Sequence, residues 1–364
     1  MLNFSPPFLS SGNHNFNMTH ELLHLVIDGG TLTEEQAQGA MEGLLGGAST
    51  PVLTAAFLTA LRMRGETIDE LTGFARAMRG AALALPLDPS CRPLLDTCGT
   101  GGNPTAGFNI STIAAFVIAG AGVRVAKHGN RSVTSRSGSA DLLEALGVRT
   151  AVAPEVVANS IRDAGIGFLF APSFHSAVRH VQPVRLELKF RTAFNFLGPL
   201  TNPARAEMQV AGTWSDDAAE KVAGALARLG LQRGFVVHGS DGLGEVTVTG
   251  PSTVFSVRDG VVERMTVTPE DFGFEPRPRD SVLGGNVEQN RARAEAILGG
   301  AEQGGPREIV LMNAALGIMA AGKAADFRAS YFKEGVARAA ESIDSGAAAN
   351  KLALLRVASA AGGQ

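Results

Sequence analysis

The sequence predicts an α/β protein in which a small N-terminal helical domain joins a larger, open, mostly parallel sheet with helices on both faces. Three observations lead there. The first 85 residues or so carry helix signals and no strand signal. Pro86 and Pro89 then punctuate the chain. Beyond them, short apolar runs alternate with helical stretches, the rhythm of βα units. The 364 residues are 45% hydrophobic and 18% charged, enough to bury a sizeable core. A net charge of −3 argues against a nucleic-acid or anionic-membrane partner, and no apolar run approaches a membrane span. Two cysteines, Cys91 and Cys98, build neither a disulfide framework nor a zinc pattern, which points to a reducing compartment, the cytoplasm. Residues 1–17 lack the basic start and apolar core of a signal peptide and read as a loose tail.

Taken in order, residues 19–28 form a helix closed by Gly29-Gly30, and Thr33-Glu-Glu-Gln36 opens a second with an N-cap residue. Thr50-Pro51 starts a third, with proline at its first helical position, and Gly65 ends it. A fourth runs from about Ile68 to Ala84. Strands are expected at 94–98, 123–126, 167–170, 209–212, 234–238 and 246–248. Helices fall at 110–121, 140–146, 215–229, 286–298, 306–321 and 333–344. Ligands of such sheets bind beyond the carboxyl ends of the strands.

Four segments there carry chemistry. Glycine is in excess, 44 of 364 or roughly 12% against a usual ~7%, and it clusters at Gly99-Thr100-Gly101-Gly102-Asn103 after the first apolar run. With Asn109-Ile110-Ser111-Thr112 opening the next helix, free N–H groups and a helix dipole converge as an anion site requires. No Gly-Lys-Ser/Thr follows, so it is not a Walker loop, and Pro104 takes the place of a dinucleotide fingerprint's third glycine. A plain glycine turn with Asn109 capping a helix remains the alternative. The second segment, 127–141, places Lys127 directly after a strand and adds His128, Asn130, Arg131, Ser135 and Ser139, suited to a polyanion bearing sugar hydroxyls; its alternative is a solvated loop. In the third, Arg185 has the fork geometry for a carboxylate, or is a helix-pairing arginine, and His175 and His180 read as packing histidines. Gly198-Pro199-Leu-Thr-Asn202-Pro203 reads as a rigid loop. The fourth, Asp241-Gly-Leu-Gly244-Glu245, sets carboxylates at a strand end where a Mg²⁺-bound diphosphate could meet them, or is a solvated turn.

Together GTGG at 99–102, NIST at 109–112, KHGNR at 127–131, SGSAD at 137–141, PVR at 183–185 and NFLGPLTNP at 195–203 resemble the anthranilate phosphoribosyltransferase family over nearly the whole chain. The resemblance implies a nucleoside phosphorylase/phosphoribosyltransferase-like fold. Its helical domain would span 18–89 plus an insertion at about 174–197, its α/β domain 90–173 and 198–364, and the helical part would form a homodimer. It implies transfer of the phosphoribosyl group of 5-phosphoribosyl 1-diphosphate (PRPP) to anthranilate, a step of tryptophan biosynthesis. Gly99, Gly102, Asn103, Asn109, Ile110, Ser111, Thr112, Lys127, Asn130, Arg131, Ser135 and Ser139 match PRPP-contacting positions. Gly99, Asn130 and Arg185 match anthranilate contacts, with His128, Gly198 and Pro199 along the aromatic entry path. Ser111 and Glu245 match Mg²⁺ ligands. One Mg²⁺ site is expected; a second lacks a carboxylate, because Gly244 stands where the family has aspartate, and Asp241 is three residues away. Gly107 also replaces a common hydroxyl residue. A pyrimidine-nucleoside phosphorylase shares the architecture, but the NIST and KHGN motifs favour the PRPP enzyme. A paralogue without turnover has only Gly244 in its favour.

Overall fold

The computed structural model describes residues 20–105, 107–132, 137–322 and 329–361. The expected tail, 1–17, and Ser135 lie outside the described residues. Four helices open the chain: α1 His20–Ile27, α2 Glu34–Leu45, α3 Pro51–Arg64 and α4 Ile68–Ala81. Then follow β1 Leu95–Gly99, α5 Ile110–Gly120, β2 Val125–Gly129, α6 Ser139–Ala145, α7 Pro154–Ala164 and β3 Ile166–Phe170. The chain continues through α8 Ala171–Phe174, α9 Gln182–Leu188, α10 Phe194–Leu200, β4 Met208–Gly212, α11 Asp216–Arg228 and β5 Arg233–Gly239. It ends with β6 Ser252–Arg258, β7 Val261–Val267, α12 Val287–Leu298, α13 Gly305–Ala321, α14 Ala329–Asp344 and α15 Ala347–Ala360.

The first helices begin where the sequence places caps. Thr33 accepts from Gln36 N and Thr67 from Glu70 N, each completing a capping box, and Thr50 precedes the N-terminal proline of α3. The sheet has seven strands in the order β3-β2-β1-β4-β5-β6-β7; the first five are parallel and β6–β7 is an antiparallel edge hairpin. Along β4 and β5, Val210, Phe235 and Val237 join one core while Ala211 and Val236 join the other, so both faces of the sheet are covered. The second core holds α1–α4, α11 and residues 193–200 together. The segment 176–188 packs on α2 and α3.

Several expected elements differ. Residues 246–248 are not a strand: they form a buried irregular segment whose Val246 donates to Asn313 at 3.1 Å and accepts from it at 2.8 Å. The hairpin β6–β7 went unanticipated, although Asp259-Gly260, at φ 48° and 83°, is the two-residue turn that such hairpins favour. Helices α7 and α15 were also unanticipated. Lys127 lies inside β2, paired in register with Phe168 of β3, because that strand starts two residues later than expected. Gly198 to Leu200 is the last turn of α10, with Pro199 inside it, rather than loop.

Candidate active site

Four of the five parallel strands end in glycine, at Gly99, Gly129, Gly212 and Gly239, and every segment singled out above leaves from that edge. Gly99 pairs with Gly212 across β1 and β4, which lets the following loops approach one another closely. Gly101 and Gly102 both sit at φ 66°, a turn that L side chains resist. Asn109 precedes α5 in the left-handed region at φ 63° and makes no side-chain cap. Its amide instead donates to the Ser137 carbonyl and its oxygen accepts from Asn290, both at 3.0 Å. The expected cap is therefore a sideways tie, and the N-terminal end of α5 is left without a side-chain cap, as an anion site requires. Asn290, inside an exposed-looking helical sequence, gave no signal of this role.

At the mouth of β1, Thr97, Cys98, Ser111, Gly212, Gly244 and Glu245 are among the residues lining a small cavity. Burial pushes the Glu245 carboxyl up to about 7, helped by the nearby Asp241 and opposed by Lys127. Asp241 lies on the same turn. Its two oxygens already accept from Leu243 N, Thr247 Oγ1 and Thr249 Oγ1, holding the turn itself.

Beneath the cavity Lys127 is 3% exposed and donates to the Thr97 carbonyl, so it supplies positive charge from within the sheet rather than from a loop. Burial lowers its pKa and raises that of Asp96, and each opposes the other's shift. Asp96, an acid inside an apolar strand, also accepts from His128 N; that placement was the signal for a role the sequence reading passed over. In the following loop, Asn130 accepts from Arg131 N and, through its carbonyl, from Ser139 Oγ. Arg131 turns onto the surface, paired with both oxygens of Glu144 at 2.6 and 2.7 Å.

Across the cleft the wall is side chain. Arg185, on α9, is half-buried, with its guanidinium over Phe194 at 4.9 Å and donating a hydrogen bond to Gln182 at 3.3 Å. Burial lowers its pKa, and no carboxylate pairs with it among the described residues. His128 Nδ1 lies 3.0 Å from the Gly198 carbonyl, which can only accept, so the proton is assigned to Nδ1. Nε2 of His128 and Nε2 of His175 are both buried without a partner among the described residues, the rings 5.2 Å apart. Burial drives His128 down to about 3 and His175 to about 4, so both are neutral. Gly198 faces Gly99, its absent Cβ falling 3.6 Å from the Gly99 carbonyl. The residues expected along an aromatic path are thus brought together. Arg191 joins the two walls: it stacks over Trp214 at 5.1 Å and donates to the Gly102 carbonyl at 2.8 Å. It lay within the segment read for Arg185, and Trp214 is the chain's single tryptophan, yet neither was assigned a role from sequence.

Residues 91–349 match the family described as "Glycosyl transferase family, a/b domain", and residues 20–82 match "Glycosyl transferase family, helical bundle domain". The chain is 55% identical to the anthranilate phosphoribosyltransferase of Solibacter usitatus over 326 residues, 89% of this chain and 94% of that one. The crystal structure of the Thermus thermophilus enzyme superposes with a TM-score of 0.85 at 45% identity, covering 93% of this chain and 98% of that one. The Saccharomyces cerevisiae enzyme in complex with PRPP and Mg superposes with a TM-score of 0.83 at 28% identity, covering 94% and 99%. The chain belongs to the anthranilate phosphoribosyltransferase family of glycosyl transferases.

Proposed function

We propose that this protein transfers the 5-phosphoribosyl group of PRPP to the amine of anthranilate, giving N-(5-phosphoribosyl)anthranilate and diphosphate in tryptophan biosynthesis. The observation that carries the reading is the cleft's two unlike walls: glycine turns and a helix end without a side-chain cap on one, and on the other a half-buried guanidinium with no carboxylate partner among the described residues. The first pair suits diphosphate, and the second suits an aromatic carboxylate.

Gly99, Gly102, Asn103, Asn109, Ile110, Ser111 and Thr112 hold the diphosphate and ribose, with Asn130, Arg131, Ser135 and Ser139 on the phosphate side and Lys127 beneath. For Arg131 this requires release from Glu144. Arg185 takes the anthranilate carboxylate, with Gly99, Asn130, Gly198 and Pro199 bounding the ring. The residues present fit Mg²⁺. It needs only one or two carboxylates when substrate phosphates complete its shell. Ser111 and Glu245 share a cavity, and the raised Glu245 carboxyl has no ion-pair partner among the described residues. Bound with the diphosphate, Mg²⁺ would neutralise charge on the leaving group.

The C1–diphosphate bond breaks with positive charge growing on the ribose, so the N–H groups facing the leaving group lower the barrier by preorganised stabilisation. An aryl amine is a free nucleophile at neutral pH, and holding it near C1 is worth up to ~7–11 kcal/mol in favourable cases. His128, neutral down to about pH 3, is too weak a base to deprotonate it; Nε2 offers an acceptor that orients the amine. Attack opposite the departing diphosphate inverts C1. The exposed Leu25, Ile27, Val52 and Met63 on α1 and α3 support a homodimer through the helical part. The test is anthranilate fluorescence in the presence of purified protein, PRPP and Mg²⁺. Decay that requires all three is expected. A flat trace while PRPP still binds by calorimetry would overturn the acceptor.

A further inference from the structure

The left-handed backbone at Asn109 is held from a distance. A residue in that place ordinarily caps its helix from the extended region. Its side-chain oxygen then covers the N–H of the second or third helical position, here Ser111 or Thr112. At φ 63° Asn109 makes no such cap, and asparagine is among the few residues that tolerate this conformation. Its partner is Asn290, a carboxamide 2% exposed on α12. The Gly285 N–H donates to Asn290 Oδ1 at 2.8 Å, Asn290 Nδ2 to Asn109 Oδ1 at 3.0 Å, and Asn109 Nδ2 to the Ser137 carbonyl at 3.0 Å. The ends of this relay fix its direction, because a backbone N–H only donates and a backbone carbonyl only accepts. Neither carboxamide can turn over without losing bonds.

The chain before α12 reaches the same turn by two other routes. Leu283 forms an isolated bridge with Gly107. Arg293, one helical turn beyond Asn290, lies over the Phe108 ring at 4.9 Å and donates to the Leu283 carbonyl at 2.8 Å. These contacts hold residues 107 and 108 against α12 and its approach without Asn290. The Asn290 carboxamide therefore has a narrower task than docking α12: it claims the oxygen with which Asn109 would cap α5.

We infer that Asn290 is a positioning residue of the PRPP site, one that keeps the entrance of α5 open by withholding its cap. With the relay intact, the first-turn N–H groups stay available to a phosphate. Without the bond from Asn290, residue 109 relaxes to the extended region and its own carboxamide covers an N–H that the ligand needs. The inference rests on the PRPP reading and deepens it, because it gives control of the site to a helix that none of the ligand-contacting segments belongs to.

The test is a double-mutant cycle on wild type, Asn290→Leu, Asn109→Gly and the double variant, read by PRPP calorimetry and steady-state kinetics. Asn290→Leu keeps the side chain's size and is expected to weaken PRPP about tenfold, in Kd and KM alike, with the KM for anthranilate within about twofold. Glycine at 109 is at ease at φ 63° and cannot cap, so Asn109→Gly is expected to lose about threefold, for its tie to Ser137. The double variant is expected to match Asn109→Gly, since no cap is left to withhold. A purely structural Asn290 would instead give losses that multiply. Multiplied losses, or Asn290→Leu binding PRPP as wild type does, would overturn the inference. If Asn290→Leu does not fold, Asn290→Asp takes its place, with the same shape but no donor for Asn109; failure of both to fold also overturns it. Anthranilate turnover by wild type is measured alongside. PRPP binding with a coupled cycle but no turnover rejects the acceptor and leaves the inference standing. Turnover with multiplied losses rejects the inference alone, and a wild type that does not bind PRPP rejects both.

Discussion

Along the ends of β1, β4 and β5 the cleft wall is backbone: Gly99, Gly101, Gly102, Gly212 and Gly244 bring main chain together where side chains would collide or strain. Along β2, α9 and α10 the wall is side chain: His128 and His175 each keep a buried ring nitrogen without a partner among the described residues, and half-buried Arg185 lies over Phe194. The two arginines nearest the site make the contrast sharper. Arg131 is exposed and satisfied by Glu144, while Arg185 is half-buried and has no carboxylate partner among the described residues. An exposed pair of the first kind contributes little to stability. A cation that is taken out of water and left without an anion costs stability, and the cost is recovered when a ligand supplies the anion. The backbone wall binds through what is absent, and the side-chain wall through what is unpaired.

If the backbone wall works through a cation held at its edge, Glu245→Gln should have the largest effect, because it removes the carboxylate that shares a cavity with Ser111. We expect kcat to fall about 10²–10³-fold on loss of the Glu245 carboxylate, which has no ion-pair partner among the described residues, the scale of losing one preorganised electrostatic group at a developing charge. Steady-state rates across a Mg²⁺ titration check this; an undiminished kcat at saturating Mg²⁺ would remove Glu245 from the metal. On the opposite wall Arg185→Met should raise the KM for anthranilate roughly 10- to 100-fold, the equivalent of about 1.5–3 kcal/mol for bonds to a charged group. The KM for PRPP should stay within about twofold. Equal rises in both constants would erase the distinction between the walls.

The same contrast explains what the sequence made legible. Glycines and caps are local instructions, so GTGG, NIST and the Thr33, Thr50 and Thr67 caps could be read in place. Most strand positions followed from apolar runs bounded by glycine. What escaped was non-local. That Asn109 is tied by Asn290, 181 positions away, depends on how α12 docks. That residues 246–248 are irregular rather than a strand depends on Asn313 satisfying the Val246 backbone, since the run Val246-Thr-Val248 alone alternates as a strand does. That Asp241 is occupied and Arg185 is not could not be told from either residue's neighbours in sequence.

The side-chain wall should also carry a pH signature of its own. His128 and His175 are held neutral, with pKa values of about 3 and about 4, whereas the unfolded chain binds their protons below about 6.5. Unfolding then takes up protons as pH falls, so stability is full above about 6.5 and declines towards pH 4. By pH 5 each histidine contributes a loss of up to roughly 2 kcal/mol. Urea midpoints at pH 7.5 and pH 5 for wild type and His175→Asn measure this. The variant should lose less between the two pH values, and an identical loss would show that His175 is not buried neutral.

Arg191 is the residue that tests whether the walls are separable, because it is rooted beside α10 and acts on the glycine turn. Its guanidinium lies over the Trp214 ring, which itself packs on Phe196 at 4.6 Å, and its hydrogen bond reaches Gly102 at φ 66°. A glycine turn has many alternatives in solution, so one charge-assisted bond to its carbonyl selects the conformation in which its N–H groups face the anion. Arg191→Met keeps the stem but removes that bond. The expected result is the smallest of the set: a rise in the KM for PRPP of about fivefold, near 1 kcal/mol, with the KM for anthranilate unchanged. Arg191→Lys, which can still donate but does not stack as a plane, should recover part of the loss. A rise confined to anthranilate would place Arg191 with the aromatic wall instead, and the turn would then owe its shape to Gly101 and Gly102 alone.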